Sequence, residues 1–181
     1  MKGEKTMTVK QISVFVENKP GKLAEFVELL RANGIDMRAL SLAEAADFGV
    51  LRTIVSDPDK AQRVLSEAGS ISAVTPVLAV EVSDEPGALY HILEILREGN
   101  INLEYTYAFT TRRNQGAYMV FRVADKNIEK AVALLAENGI GIVAQEDIYD
   151  LSRRASPYRS SALRFGGPRT CIAAGKRFTS F

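Results

Sequence analysis

Asn18-Lys19-Pro20-Gly21-Lys22-Leu23 returns 66 residues later as Asp84-Glu85-Pro86-Gly87-Ala88-Leu89. Such an echo marks a duplicated unit when its surroundings repeat in register, and here they do. Upstream, Ile12, Val14 and Val16 alternate with more polar residues, as do Leu78, Val80 and Val82, which is the period of a half-buried strand. Downstream, Leu23, Phe26, Val27 and Leu30 fall at i, i+3, i+4 and i+7, and so do Leu89, Ile92, Leu93 and Leu96. That spacing predicts a helix with one apolar stripe packed on a sheet.

Both helices stop in the same way, at Asn33-Gly34-Ile35-Asp36 and Gly99-Asn100-Ile101-Asn102, where Gly or Asn supplies a left-handed residue. Extended segments are expected at 35–45 and 101–111. Asp47-Phe48-Gly49 and Asn114-Gln115-Gly116 then mark hairpin turns leading into third strands at 50–55 and 117–123. Asp57-Pro58-Asp59-Lys60-Ala61 combines a capping Asp with Pro at the first helical position, and its counterpart helix is expected over 125–138. Short fourth strands at 71–75 and 142–148 close the units.

Each half is thus βαββαβ, and the chain is α+β: two ferredoxin-like units, each an antiparallel sheet with both helices on one face. Two consecutive units of this order, each with [Asn/Asp]-x-Pro-Gly-x-Leu between first strand and first helix, resemble ACT domains, small-molecule regulatory modules of amino-acid metabolism. The resemblance covers residues 10–148. Ala46-Asp47-Phe48-Gly49-Val50-Leu51-Arg52, ahead of the Asp57-Pro58 helix start, is similar to free-standing tandem ACT proteins of bacteria. The expected organisation is a leader at 1–9, a first ACT domain at 10–76, a second at 77–150 and a basic, disordered tail at 151–181. Val74-Thr75-Pro76-Val77 joins the units without a linker. Pro76 cannot donate a ladder hydrogen bond, so the chain must bend or switch pairing there, and the resemblance implies units joined side by side.

Composition narrows the function. The chain has 181 residues, 46% of them hydrophobic and 25% charged, as in ordinary globular domains. No apolar run reaches the roughly 18–20 residues that cross a bilayer, and no signal-peptide stretch opens the chain, so a cytoplasmic protein without a membrane partner is expected. One cysteine, Cys171, and one histidine, His91, are too few for a Cys/His metal cage. No metal or cofactor is therefore expected. The net charge of +1 hides an acidic body and a tail with seven basic residues and no acid. Such a tail is a mobile or non-native end, or it docks on the acidic body, nucleic acid or anionic lipid.

The repeated bend is the candidate site. Pro sets φ on one side, Gly leaves main chain unshielded, and the following helix points free N–H groups and its positive dipole end into that space. An α-carboxylate fits there. Asn18 or Asp84 can reach an ammonium or carboxylate, and Asp36 or Asn102, opening the second strand, can complete a clamp. Copy one pairs an amide at 18 with a carboxylate at 36, and copy two reverses them. Lys22 adds positive charge that Ala88 lacks. The amino-acid-binding set is therefore Asn18, Pro20, Gly21, Lys22, Leu23 and Asp36, with Asp84, Pro86, Gly87, Ala88, Leu89 and Asn102. These motif positions resemble ACT ligand contacts, and the resemblance places the site between two domains that face each other.

Tyr105, Tyr107 and Phe109 share one strand face and read as core or interface packing, with ligand stacking as the alternative. Val50, Arg52, Ile54, Tyr118, Val120 and Arg122 lie opposite the expected helices and would form a half-apolar surface for a homodimer or partner enzyme. Asp47-Phe48-Gly49 matches a kinase triplet but has no phosphate loop or catalytic loop with it, and His91 lies off the apolar stripe with no partner at fixed spacing. The expected function is non-catalytic: a homodimeric regulator that binds a free amino acid and, by linkage, changes its own assembly or an amino-acid-metabolism enzyme. The alternative is a ligand-free interaction subunit docking on such an enzyme. RNA binding is disfavoured, because the strand Gly116-Ala117-Tyr118-Met119-Val120-Phe121-Arg122 lacks the stacking motif and the body is acidic.

Overall fold

The structure, a computed structural model, describes residues 7–44, 46–110 and 117–148. The 151–181 tail with Cys171, the first part of the leader and the Asn114-Gln115-Gly116 turn lie outside the described residues. The first unit runs β1 (Val9–Glu17), α1 (Lys22–Ala32), β2 (Met37–Glu44), β3 (Phe48–Val55) and α2 (Pro58–Glu67). It shares β4 (Ser72–Val82) with the second unit, which continues α3 (Ala88–Glu98), β5 (Leu103–Thr110), β6 (Ala117–Val123), α4 (Ile128–Glu137) and β7 (Ile142–Val143).

Local chemistry explains the boundaries. Asp57 accepts from the Lys60 N–H at 2.9 Å ahead of Pro58, capping α2 as its sequence requires. Gly34 at φ 66° and Asn100 at φ 51° turn the chain after α1 and α3, positions that only Gly and Asn take readily. The counterpart helix over 125–138 begins as a single 3-10 turn, Asp125–Asn127, before α4. The fourth strand expected at 142–148 is shorter, because a helical turn follows at 145–148.

The seven strands of the described residues lie in one sheet of order β2-β3-β1-β4-β6-β5, with β7 also on β4. The join is β4 itself. Its first half pairs with β1, Val14 opposite Ser72 through Val9 opposite Val77, and its second half pairs with β6, Leu78 opposite Phe121 through Val82 opposite Ala117. Pro76 sits within this strand opposite Lys10, and the change of partner follows one residue later. The units are thus side by side, and the pairing switches as the proline demanded.

The sheet then curls until its helix-free faces meet. Ile12, Phe26, Leu30 and Leu65 form one core under α1 and α2, and Leu78, Ile92, Leu96 and Phe121 form another under α3 and α4. A third core lies between the units, where Val9, Ala39 and Ile54 pack with Phe109, Tyr118 and Val120. This corrects the sequence expectation for the helix-free face. Ile54, Tyr118 and Val120 are buried within one chain, because a strand common to both half-sheets brings their apolar faces together and removes them from water. They are not an exposed docking surface.

Polar groups orient that contact. Gln11 on β1 is fully buried; its amide donates to the Tyr105 hydroxyl at 2.8 Å and accepts from the Tyr107 hydroxyl at 2.9 Å. The Arg52 guanidinium lies 4.1 Å from the Tyr105 ring centroid, a cation–π stack, and Phe109 stacks on Tyr118 at 5.4 Å. Burial pushes the Tyr107 hydroxyl well above the ordinary tyrosine range. The three aromatics of β5 therefore pack between the units.

Candidate functional site

The two Pro-Gly bends have nearly the same geometry. Gly21 at φ 89° and Gly87 at φ 93° are the left-handed residues before α1 and α3. The N–H groups of Lys22 and Ala88 close four-residue turns onto Lys19 and Glu85, and the first helical bonds run from Glu25 to Gly21 and from His91 to Gly87. No side chain caps either helix start. Each start therefore keeps N–H groups in its first turn without a partner in the helix, next to a glycine with open space where a Cβ would point. Pro20, Pro86, Asn18 and Asp84 are exposed around these openings.

The remaining expected contacts do not gather there within one chain. β1 and β2 both run antiparallel to β3, so the end of β1, which carries Asn18, and the start of β2, which carries Asp36, lie at opposite ends of the sheet. Seven residue steps along β3 separate Phe48, paired with Glu17, from Val55, paired with Met37, about 23 Å of strand. Asp84 and Asn102 are parted in the same way along β6, by about 20 Å. Asp36 instead pairs with Arg38 at 2.9 Å, and Asn102 is exposed. Nor do the two bends face each other. One lies beside the start of β4 and the other follows its end, about 33 Å apart along that strand.

The described residues around the first bend form a groove. An open groove of about 520 Å³ runs beside the start of α1 and the end of β1 to the loop that enters β4. Its apolar lining includes Val16, Phe26 and Leu29. Lys22 stands at its edge, held by Glu25 at 2.8 Å and Glu17 at 3.8 Å. The hydrogen bond to Glu25 raises the Lys22 pKa, and a hydrogen bond from Lys19 lowers that of Glu17, so these groups are charged at neutral pH. Lys22 is thus part of a mixed-charge cluster rather than a lone cation. Leu23, Leu89 and Leu93, expected on the buried stripes, are partly open. At the second bend Ala88 and His91 take the places of Lys22 and Glu25.

The family model for an ACT domain pair matches residues 7–152. The chain belongs to the ACT domain pair family. Among solved structures, a protein of Bacteroides thetaiotaomicron is 38% identical, covers 81% of this chain and 99% of its own, and superposes with a TM-score of 0.74. The regulatory subunit of aspartate kinase from Thermus thermophilus, in its ligand-free form, shares the ACT fold at 16% identity and TM-score 0.54, covering 74% of this chain and 95% of its own. Its Thermus flavus counterpart does so at 14% and 0.51, covering 71% and 90%. No curated protein matches. Among the described residues no three His, Cys, Asp or Glu side chains are grouped to hold a metal, and no helix is long and apolar enough to cross a membrane.

Proposed function

We propose that this ACT pair is a regulatory, non-catalytic protein of the cytoplasm that binds a free amino acid at its Pro-Gly bends and thereby changes its own assembly or a partner enzyme of amino-acid metabolism. The observation that carries this reading is the pair of uncapped helix starts, each behind a left-handed glycine with open space in front of it. Backbone N–H groups so exposed favour an anion, and a carboxylate is one. The neighbouring Asn18 and Asp84 supply polar partners for the rest of a zwitterion.

A second copy of the chain supplies what one chain cannot. β2 is an end strand hydrogen-bonded to one neighbour, β3, and an edge with unpaired backbone groups invites pairing. Leu40 and Leu42 on it are 42% and 50% exposed. Antiparallel pairing of two β2 edges about a two-fold at Ser41 sets Leu40 of one copy against Leu42 of the other. The reversal brings Asp36 of the second copy to the end of the sheet that carries the first bend. An effector bridging two copies stabilises that arrangement by its differential affinity for it.

Calorimetric titration of free amino acids into the full chain tests the reading. One amino acid is expected to saturate, and at 100 times its Kd to stabilise the fold by about 2.7 kcal/mol. Asn18→Ala should weaken binding at least tenfold. If no amino acid gives heat or raises Tm, the ligand reading fails and an interaction subunit takes its place.

A further inference from the structure

The two ends of the sheet are built alike and furnished differently. At the first, the Phe15 N–H donates to the Ile71 carbonyl; at the second, the Glu81 N–H donates to the Gly141 carbonyl by the same step of the fold. Phe15 and Ile71 are 57% and 72% exposed, and Phe48 beside them is 50% exposed. Glu81 and Gly141 offer no such apolar surface. Large apolar side chains held in water at one of two equivalent places are a mark of binding. All three border the groove beside the first bend.

We infer that this groove receives the side chain of the effector, and that the effector is an amino acid whose side chain is large and apolar, aliphatic or aromatic. The inference rests on the proposed amino-acid site at the first bend and names its ligand class. The groove, about 520 Å³, lies within the roughly 300–1,000 Å³ of small-molecule sites. Val16, Phe26 and Leu29 line it with Phe15, Phe48 and Ile71, so apolar side chains make up most of its wall, beside Ser70 and the charged groups at its edge. A zwitterion needs one cation and one anion at short separation, and the Lys22 ammonium with the Glu17 and Glu25 carboxylates provides both at the groove's edge. On binding, the effector carboxylate meets the N–H groups at the start of α1 with Lys22 beside it, and a carboxylate oxygen of Glu17 or Glu25 takes the effector ammonium. Among the described residues, the second end carries Ala88 and His91 at the bend and Glu81 and Gly141 beyond it, in place of Lys22, Glu25, Phe15 and Ile71.

The test titrates leucine, isoleucine, methionine and phenylalanine, against alanine, serine, aspartate and lysine, into the full chain and into the surface variants Ile71→Asp and Phe15→Ser. Circular dichroism verifies their fold, and sedimentation gives their mass. The expected result is saturable heat from one or more of the large apolar amino acids alone, weakened at least tenfold in each variant, with one groove occupied per chain. Heat from a small or charged amino acid, unchanged by Ile71→Asp, overturns this inference and leaves the proposed function standing. Silence from all eight overturns it too; silence from every other amino acid as well would also remove the proposed function. If the variants change the sedimenting mass and leave affinity alone, the apolar wall is a contact between chains and the inference is wrong.

Discussion

The first unit and the second share a backbone plan down to the φ of one glycine, yet differ in what surrounds it. Gly21 and Gly87 differ by 4° in φ, while the first end carries a groove, three exposed apolar side chains and a Lys–Glu cluster. The second end carries Glu81, Ala88 and His91. Among the described residues, duplication therefore preserved what the chain needs in order to turn, while the side chains around the two bends diverged. Equal folds do not imply equal sites.

The comparison breaks first if the cores are unequal. Leu30 and Leu96 occupy corresponding, almost fully buried positions in α1 and α3. Alanine at either is expected to cost about 3 kcal/mol and to shift one common transition, as followed by urea denaturation. Two separate transitions would show that the units fold apart despite β4. Gln11→Ala addresses the joint: it leaves the Tyr105 and Tyr107 hydroxyls without their buried partner and should cost about 2–3 kcal/mol. A loss below 0.5 kcal/mol would mean that apolar packing alone holds the units.

Alkali probes the same joint. Because burial raises the folded-state pKa of Tyr107 above its ordinary 10.0, the neutral phenol contributes stability that is fully present below pH 10 and is lost as pH rises past it. Tyr107→Phe should flatten that decline. An unchanged slope of stability against pH would place the sensitive group elsewhere.

Smaller effects sharpen the likeness of the bends. Gly21→Ala and Gly87→Ala should each cost about 1–2 kcal/mol, and nearly the same amount, since a left-handed φ strains any Cβ even where space is open. Unequal losses would mean that the bends are not equivalent in solution. Asp57→Ala should cost about 1 kcal/mol, whereas Asn127→Ala should cost almost nothing, because Asp57 caps α2 and the Asn127 side chain caps nothing at α4. Equal Tm shifts would contradict that difference.

Much of this could be read from the residues because it is local. The Pro-Gly turns, the Asp57-Pro58 cap, the helix stops at Gly34 and Asn100 and the strand periods each depend on neighbours within a few positions, and chain stereochemistry enforces them wherever the fold places them. The duplication itself turned two weak motifs into one plan. Three features needed the tertiary structure: closure of the helix-free faces over Ile54 and Val120, burial of Gln11 between Tyr105 and Tyr107, and separation of Asn18 from Asp36. Each depends on which strands become neighbours and how far a shared strand curls, contacts between residues tens of positions apart that leave no period in the sequence. A strand pattern tells which side of the sheet is apolar; only the assembled sheet decides whether that side meets water or another part of the same chain.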